Sequence, residues 1–467
     1  MKNMSEIRFN ETPLQRIHPA LDFTAEHAYV GQWLRIPDRE DTFYIIRDDG
    51  EMIESSREEL ARYGIELATR IGDVPKRWSM ESIRQYVEGN ATPVDKSTLF
   101  NIIEQKFTQY IDLPDNRLYD FLTLWSIGTY FFPLFNTYPY VYVGGVSQSG
   151  KSKLLTLCSC ICFNSIPSAN MSVACIYRLI QNARCSLFID ETEQLSTPHR
   201  AGEFRNILLC GYRKGQNTYR NIRTPNGNYE PRAFEVYSPK MLANIEGLED
   251  VLASRCITII MQRSLNEEIT NREVDINDAV WQDIRDYLYL FLMENWREVK
   301  QIYTELENTT SLRNRDWELW KPILSLAKFF SDEVFERMKR LAVERTEENR
   351  MEHLDTDETV LVEVLLSMVT EDDFYSLRDI RNRIRLYLDD GNWFSERRIG
   401  NLLRRLGFSE RRRTGSGFQY FLRVSDIEDC ARRLDIVEVG ERSEHSERSG
   451  EQDTHEDCDS TEAMEDM

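Results

Sequence analysis

The chain has 467 residues, 41% hydrophobic and 29% charged, an ordinary composition for a soluble globular protein with room for about three domains. Its net charge of −21 and pI near 4.9 exclude wholesale nucleic-acid binding as a bulk property. Nine cysteines without a C-x-x-C pair exclude a disulfide framework and point to a reducing compartment.

Residues 1–94 read as a mixed α/β region with no assigned role. Alternating runs at Gln32–Ile36 and Phe43–Ile46 flank a turn at Asp48-Asp49-Gly50. Residues 95–135 read as helices, with Ser97 as the expected cap and Leu99, Ile102, Ile103 and Phe107 at helical spacing. The uncharged stretch from Phe121 to Val146 is long enough to suggest a membrane span. Pro133, Asn136 and Pro139 interrupt it, so a buried helix, a loop and a strand are expected. No secretory signal is visible, and the expected location is cytoplasmic, without membrane attachment.

The strand-like run Tyr140-Val141-Tyr142-Val143 leads into Gly145-Val146-Ser147-Gln148-Ser149-Gly150-Lys151-Ser152, and a helical run follows from Lys153. Strand, glycine-rich turn and helix form the setting of a P-loop, whose backbone N–H groups and helix N-terminus receive phosphate. The backbone from Gly145 to Lys153 would then cradle ATP, with Lys151 reaching the β/γ-phosphates and Ser152 holding Mg²⁺. Cys158, Cys160 and Cys162 follow in that helix and are expected in the core, not at a metal.

Thirty-nine residues after Lys151, the apolar run Cys185–Ile189 ends in Asp190-Glu191. This pattern delivers two carboxylates to a sheet edge, Asp190 for Mg²⁺ and Glu191 to orient or deprotonate the attacking water. A helix from Glu203 leads to Gly211-Tyr212-Arg213-Lys214-Gly215, and Pro225-Asn226-Gly227-Asn228 reads as a hairpin turn. Strands are expected up to Asn244 and over Cys256–Met261, giving a nucleotide-binding core within 95–264. Residues 265–350 read as a helical lid or linker, with Trp281, Ile284, Leu288, Leu292, Trp296 and Val299 on one face.

Residues 358–436 read as a winged helix: helices at Thr359–Met368, Leu377–Leu388 and Glu396–Leu406, then a glycine-tipped basic hairpin. Ser395 to Arg423 holds eight arginines and two glutamates, a local charge of +6. Arg397, Arg398, Arg404, Arg405, Arg411, Arg412 and Arg413 are the expected DNA contacts. The segment 437–467 reads as a disordered acidic tail; residues 438–467 hold twelve acidic and two basic residues.

Asn244 at a strand end, with Ser254-Arg255 before the next strand, makes the core resemble AAA+ ATPases and superfamily-three helicases. More narrowly, residues 100–330 resemble the ATPase domain of phage, plasmid and archaeal mobile-element replication proteins. The phrases involved are Asn170–Ala174, Gly211–Gly215, Leu248–Arg255 and Arg315–Leu324. The resemblance implies that Asn244 positions the lytic water and that Arg255 reaches a neighbouring subunit's γ-phosphate. It also implies DNA contacts at Arg213 and Lys214, single-stranded or duplex DNA as partner, and a homo-oligomeric ring such as a hexamer. A second sensor arginine falls on Arg313 or Arg315. The expected fold is thus α/β, a P-loop core with helical N-terminal and lid regions and a C-terminal winged helix. The expected activity is that of a DNA-dependent ATPase serving as helicase or translocase. The alternative is a nucleotide-dependent regulator, initiator or defence switch without helicase activity.

Overall fold

The computed structural model describes residues 14–35, 40–168, 171–190, 198–224, 226–244, 248, 250–353, 357–388, 394–415, 417–434 and 436. Glu191 and the acidic tail lie outside these residues. The chain divides into two compact units, one up to Glu344 and one from Arg345.

The first unit is built on a parallel sheet of five strands: β1 (Tyr140–Gly145), β2 (Ile166–Ser168), β3 (Leu187–Ile189), β4 (Lys240–Ala243) and β5 (Cys256–Met261). Their spatial order is β5-β1-β4-β3-β2. The four strands other than the edge strand β2 are nearly continuous apolar runs because both sheet faces are largely covered there. Side-chain alternation divides each run between the faces. Val141, Val143, Phe188, Met241, Ala243, Ile257 and Ile259 join a core shared with the N-terminal region and the long helices. Tyr140, Tyr142, Leu187, Ile189, Leu242 and Cys256 pack on the other side, with helix Val173–Ala183.

The larger core runs without a break from Leu21 to Ala342. The sequence-based boundaries at residues 94 and 264 therefore fall inside continuous packing. Helix Lys96–Tyr110 is capped by Asp95, which accepts from the Thr98 N–H at 3.0 Å, and not by Ser97. The apolar stretch resolves into helix Arg117–Gly128, a short 3₁₀ turn at Phe132–Leu134 and β1. Among the described residues no helix is long and apolar enough to cross a membrane. Cys158, Cys160 and Cys162 are buried and unbridged.

An N-terminal antiparallel sheet (Leu21–Phe23, Ala28–Leu34, Thr42–Arg47, Met52–Glu54) is tied to helix Ala279–Glu305 by one buried carboxylate. Asp48 lies 2.8 Å from His27 Nδ1 and accepts from Trp296 Nε1 and from Arg297, each at 2.8 Å. Nearby, Trp78 stacks on Tyr289 of the same helix, with ring centroids 5.0 Å apart.

The second unit has the order helix Asp357–Met368, strand Asp373–Ser376, helices Leu377–Tyr387 and Glu396–Arg405, strands Arg411–Thr414 and Gly417–Leu422, and helix Val424–Arg433. Its strands form an antiparallel sheet with Gly417–Leu422 in the middle. Strand Asp373–Ser376 and the last helix have no counterpart in the sequence reading.

Asp48→Ala should destabilise the first unit by about 2–4 kcal/mol, because it strands donors that the carboxylate satisfies. Urea denaturation checks this, with Asp48→Asn expected to lose less.

Candidate functional site

Gly145 ends β1 with φ +136°, and a Cβ there would sit 2.3 Å from the Met261 carbonyl oxygen. Only glycine lets β1 turn away beside β5 at this point. The loop then passes through Gln148 at φ +63° and Gly150 at φ +91°, and Gly150 caps helix α1 (Lys151–Ile161). Lys151 is buried, and its Nζ donates to the carbonyls of Gly145 and Val146 at 2.8 Å each. Ser149 Oγ is buried without a hydrogen-bond partner. Arg263, just beyond β5, donates from Nε to the Ser147 carbonyl at 3.1 Å. Lys153 donates to the Ile269 carbonyl at 2.6 Å, and burial, then Arg272, holds its amine below the ordinary lysine range.

These groups border a cavity of about 500 Å³. Gln148 to Lys153 line one wall. Tyr110, Ile111 and Asp112 line another, with Met261, Arg263, Ser264, Ile269 and Thr270 completing it. The sequence reading missed this second half. Residues 110–112 end a helix far upstream of the loop and carry no motif, so only tertiary packing brings them here. Phosphate suits the loop side by its donors, and a flat apolar base suits the side of Tyr110, Ile111 and Ile269.

The strand order decides where the other predicted residues fall. Because β4 lies between β1 and β3, Asn244 and Asp190 follow adjacent strands at the sheet's C-terminal edge. Ala243 is in register with Val143, so Asn244 is level with Gly144, one strand spacing of about 5 Å away. Asn244 is buried and its Oδ1 accepts from Tyr142 Oη. Asp190 is partly buried and its N–H faces the Ser168 carbonyl at 3.4 Å. Ser152 is exposed in the first turn of α1 and lines the cavity.

Arg255 is at the opposite edge. Cys256 is in register with Tyr140, so the length of β5, roughly 20 Å, separates Arg255 from the loop. Its guanidinium lies 4.9 Å from the Tyr212 ring centre and donates to the carbonyls of Leu209 (3.1 Å) and Val251. Burial and the neighbouring Arg315 hold it below the ordinary arginine range. Arg315 donates to Ser254 Oγ at 2.8 Å, placing it at this same edge and away from the cavity. Arg313 precedes the same helix, Asn314–Phe330.

Arg213 is partly buried and Lys214 exposed in the turn after helix Pro198–Cys210, and both side chains are engaged within the unit. Arg213 is ion-paired with Glu318, and Lys214 donates to the Pro133 carbonyl at 2.8 Å. Lys240, fully buried, donates to the carbonyls of Val236, Ser238 and Gly211 and fixes the start of this turn. What projects instead is the hairpin Asn217–Arg223/Tyr229–Glu235, inserted between β3 and β4. It exposes Tyr219 and Tyr229 and carries Arg220, Arg223 and Arg232.

In the second unit, helix Glu396–Arg405 has two arginine faces. Arg398 pairs with Asp357 and Arg405 with Glu358, so both turn toward helix Asp357–Met368. Arg397, Asn401 and Arg404 share the other face; all four arginines are exposed. Arg411, Arg412 and Arg413 are exposed on the hairpin.

No family model matches the chain, and no curated protein matches it. Among solved structures, it is similar to SCCmec type IV Cch, described as an active helicase. The identity is 13%, with a TM-score of 0.38, covering 92% of this chain and 100% of that one. The apo C-terminal region of NrS-1 matches at 11% identity and a TM-score of 0.33, covering 85% of this chain and 96% of that one. The ORC2 protein of Aeropyrum pernix matches at 9% identity and a TM-score of 0.20, covering 78% and 97%. At these identities and scores the likenesses carry no activity and no partner over to this chain.

Proposed function

We propose that the chain is a DNA-dependent ATPase, acting as a ring-forming replicative helicase or translocase of a mobile genetic element. The observation that carries the ATPase reading is the convergence of the glycine-turned loop, buried Lys151, Asp190 and Asn244 on one sheet edge beside a nucleotide-sized cavity. ATP phosphates would replace the loop carbonyls as partners of Lys151. The unpartnered Ser149 hydroxyl and the space kept by Gly145 suit the same occupant. Ser152 and Asp190 suit magnesium by their oxygen donors; when bound, the ion would spread phosphate charge during transfer. Asn244 would hold the attacking water in line, and Glu191 would accept its proton.

The second unit is read as a winged helix, supported by its helix, helix, basic hairpin order. Its DNA contacts would come from Arg397, Arg404 and Arg411 to Arg413. In the core, the hairpin between β3 and β4 is a better candidate than Arg213 and Lys214, whose side chains are already engaged. Assembly into a ring is supported by the position of Arg255, too far from its own loop to serve it.

ATP hydrolysis should rise on adding single-stranded DNA; hydrolysis that ignores DNA would favour the regulator reading. Lys151→Ala should abolish binding or turnover, whereas Glu191→Gln should bind ATP and stop hydrolysing it. Wild-type turnover by Glu191→Gln would sink the assignment of the catalytic carboxylate.

Arg255→Ala should lower turnover on the order of 10³-fold. Mixing it with Lys151→Ala subunits should restore part of the activity, since an interface that sets the loop of an Arg255→Ala subunit against the arginine of a Lys151→Ala subunit has both groups intact. Full activity in a strictly monomeric protein refutes this.

Removing Arg397 and Arg404 together should weaken duplex binding and flatten its salt dependence by about 0.9 per lost phosphate contact. Removing Arg398 and Arg405 should instead lower thermal stability with a smaller change in salt slope. Anisotropy titrations at two salt concentrations, beside melting curves, separate the two.

A further inference from the structure

The sheet of the second unit has an outer face whose aromatic rings the proposed function does not use. Tyr420 and Leu422 of its middle strand are buried in the apolar core. Alternation therefore turns Gln419 and Phe421 to the other side. Phe374 is in register with Phe421, and Arg412 with Gln419, so these four share the outer face. Phe374 and Phe421 are partly exposed, with ring centroids 5.1 Å apart.

Arginines already lie on these rings. The Arg412 guanidinium is 3.9 Å from the Phe374 ring centre, and its Nε donates to Gln419 Oε1 at 2.7 Å. Arg423 lies 5.1 Å from the Phe421 ring centre, positioned by Glu410 and Asp426 at 3.5 and 3.4 Å. At the hairpin end, on the opposite face, Phe418 is 40% exposed, with Arg411 and Arg413 at 5.1 and 5.9 Å from its ring centre; that ring is no part of the outer face. The bland alternative is that these arginines merely cover rings at a small sheet's surface. It does not account for two adjoining, partly exposed rings each carrying its own guanidinium, Arg412 and Arg423, on one face in a chain of net charge −21.

We propose that this face is a stacking platform for single-stranded DNA, separate from the helix face of Arg397 and Arg404. The arginines supply charge complementarity to phosphates, and guanidinium planes stack on bases as aromatic rings do. Duplex DNA keeps its base faces stacked inside and offers nothing flat to Phe374 or Phe421. An unpaired strand offers both a backbone and free base faces. An acidic peptide would meet the arginines but leave the rings without partners. The platform does not depend on the nucleotide site.

The test uses the full-length protein without nucleotide and a short oligothymidylate carrying 5-iododeoxyuridine, which cross-links to rings stacked on it under ultraviolet light. Mass spectrometry should find cross-links at Phe374 or Phe421. Cross-links confined to the first unit overturn the proposal. In anisotropy titrations, Phe374→Ala with Phe421→Ala should weaken oligothymidylate binding about tenfold or more and leave duplex binding within about twofold. Phe374→Tyr with Phe421→Tyr keeps the rings, guards against misfolding, and should bind like wild type. Unchanged oligothymidylate affinity in the alanine variant, or a loss in the tyrosine variant equal to it, overturns the platform. So does wild-type protein that binds polyglutamate but not oligothymidylate.

Discussion

The candidate site depends on β1 being hydrogen-bonded on both sides, to β5 and to β4. The β5 ladder runs the full length of β1, from Tyr140–Cys256 to Gly145–Met261. It ends against the point where the chain must leave the sheet. With the Met261 carbonyl so close, the chain can turn only at a residue without a side chain and with positive φ. That constraint sends residues 146–150 outward and back, and lets α1 begin with its free N–H groups facing the loop. The β4 ladder does a different job. By separating β1 from β3 it inserts a strand end carrying Asn244 between the phosphate loop and Asp190. A sheet with β3 beside β1 would leave no room for that amide.

A parallel sheet also has two chemically different edges. Its C-terminal edge gathers the loop, Asp190 and Asn244. Its N-terminal edge gathers Tyr212 with Arg255, Arg315 and Arg213 around it. Burial, and then repulsion from Arg315, hold Arg255 below the ordinary arginine range, while Arg213 on the same ring is paired with Glu318. Backbone carbonyls at Leu209 and Val251 offset part of both effects. Among the described residues no carboxylate pairs with the guanidinium. Such a cation retains its attraction for an anion brought from outside, which is what a neighbouring subunit's nucleotide would offer.

What was legible in the sequence followed the range of the interactions. The loop, β1, α1 and the strand before Asp190 are local, and apolar runs and glycine spacing announce them. The inward face of helix Ala279–Glu305 was equally plain, because Trp281, Ile284, Leu288, Leu292, Trp296 and Val299 repeat at helical period and are all buried. The cap of helix Lys96–Tyr110 was misplaced by two residues, since Asp95 and Ser97 are both competent caps and only backbone geometry chooses. The base side of the cavity was invisible: Tyr110 and Ile269 lie more than a hundred residues apart and neither stands in a motif. The partners of Arg213 and Lys214 were equally invisible, since nothing local reveals that Glu318 and the Pro133 carbonyl engage them.

The same limit shapes the second unit. Counting arginines gives a local charge but not its direction. Helical geometry supplies the direction, because positions 397, 401 and 404 share a face that 398 and 405 do not. The acidic residues at the start of helix Asp357–Met368 then take up Arg398 and Arg405. Those two cations, though exposed, have part of their charge balanced by these carboxylates. On this helix and the hairpin after it, Arg397, Arg404 and Arg411 to Arg413 have no ion pair among the described residues. A strongly acidic chain can thus present a small cationic surface, since at physiological ionic strength the field is set within about 8 Å and distant acidic residues barely weaken it.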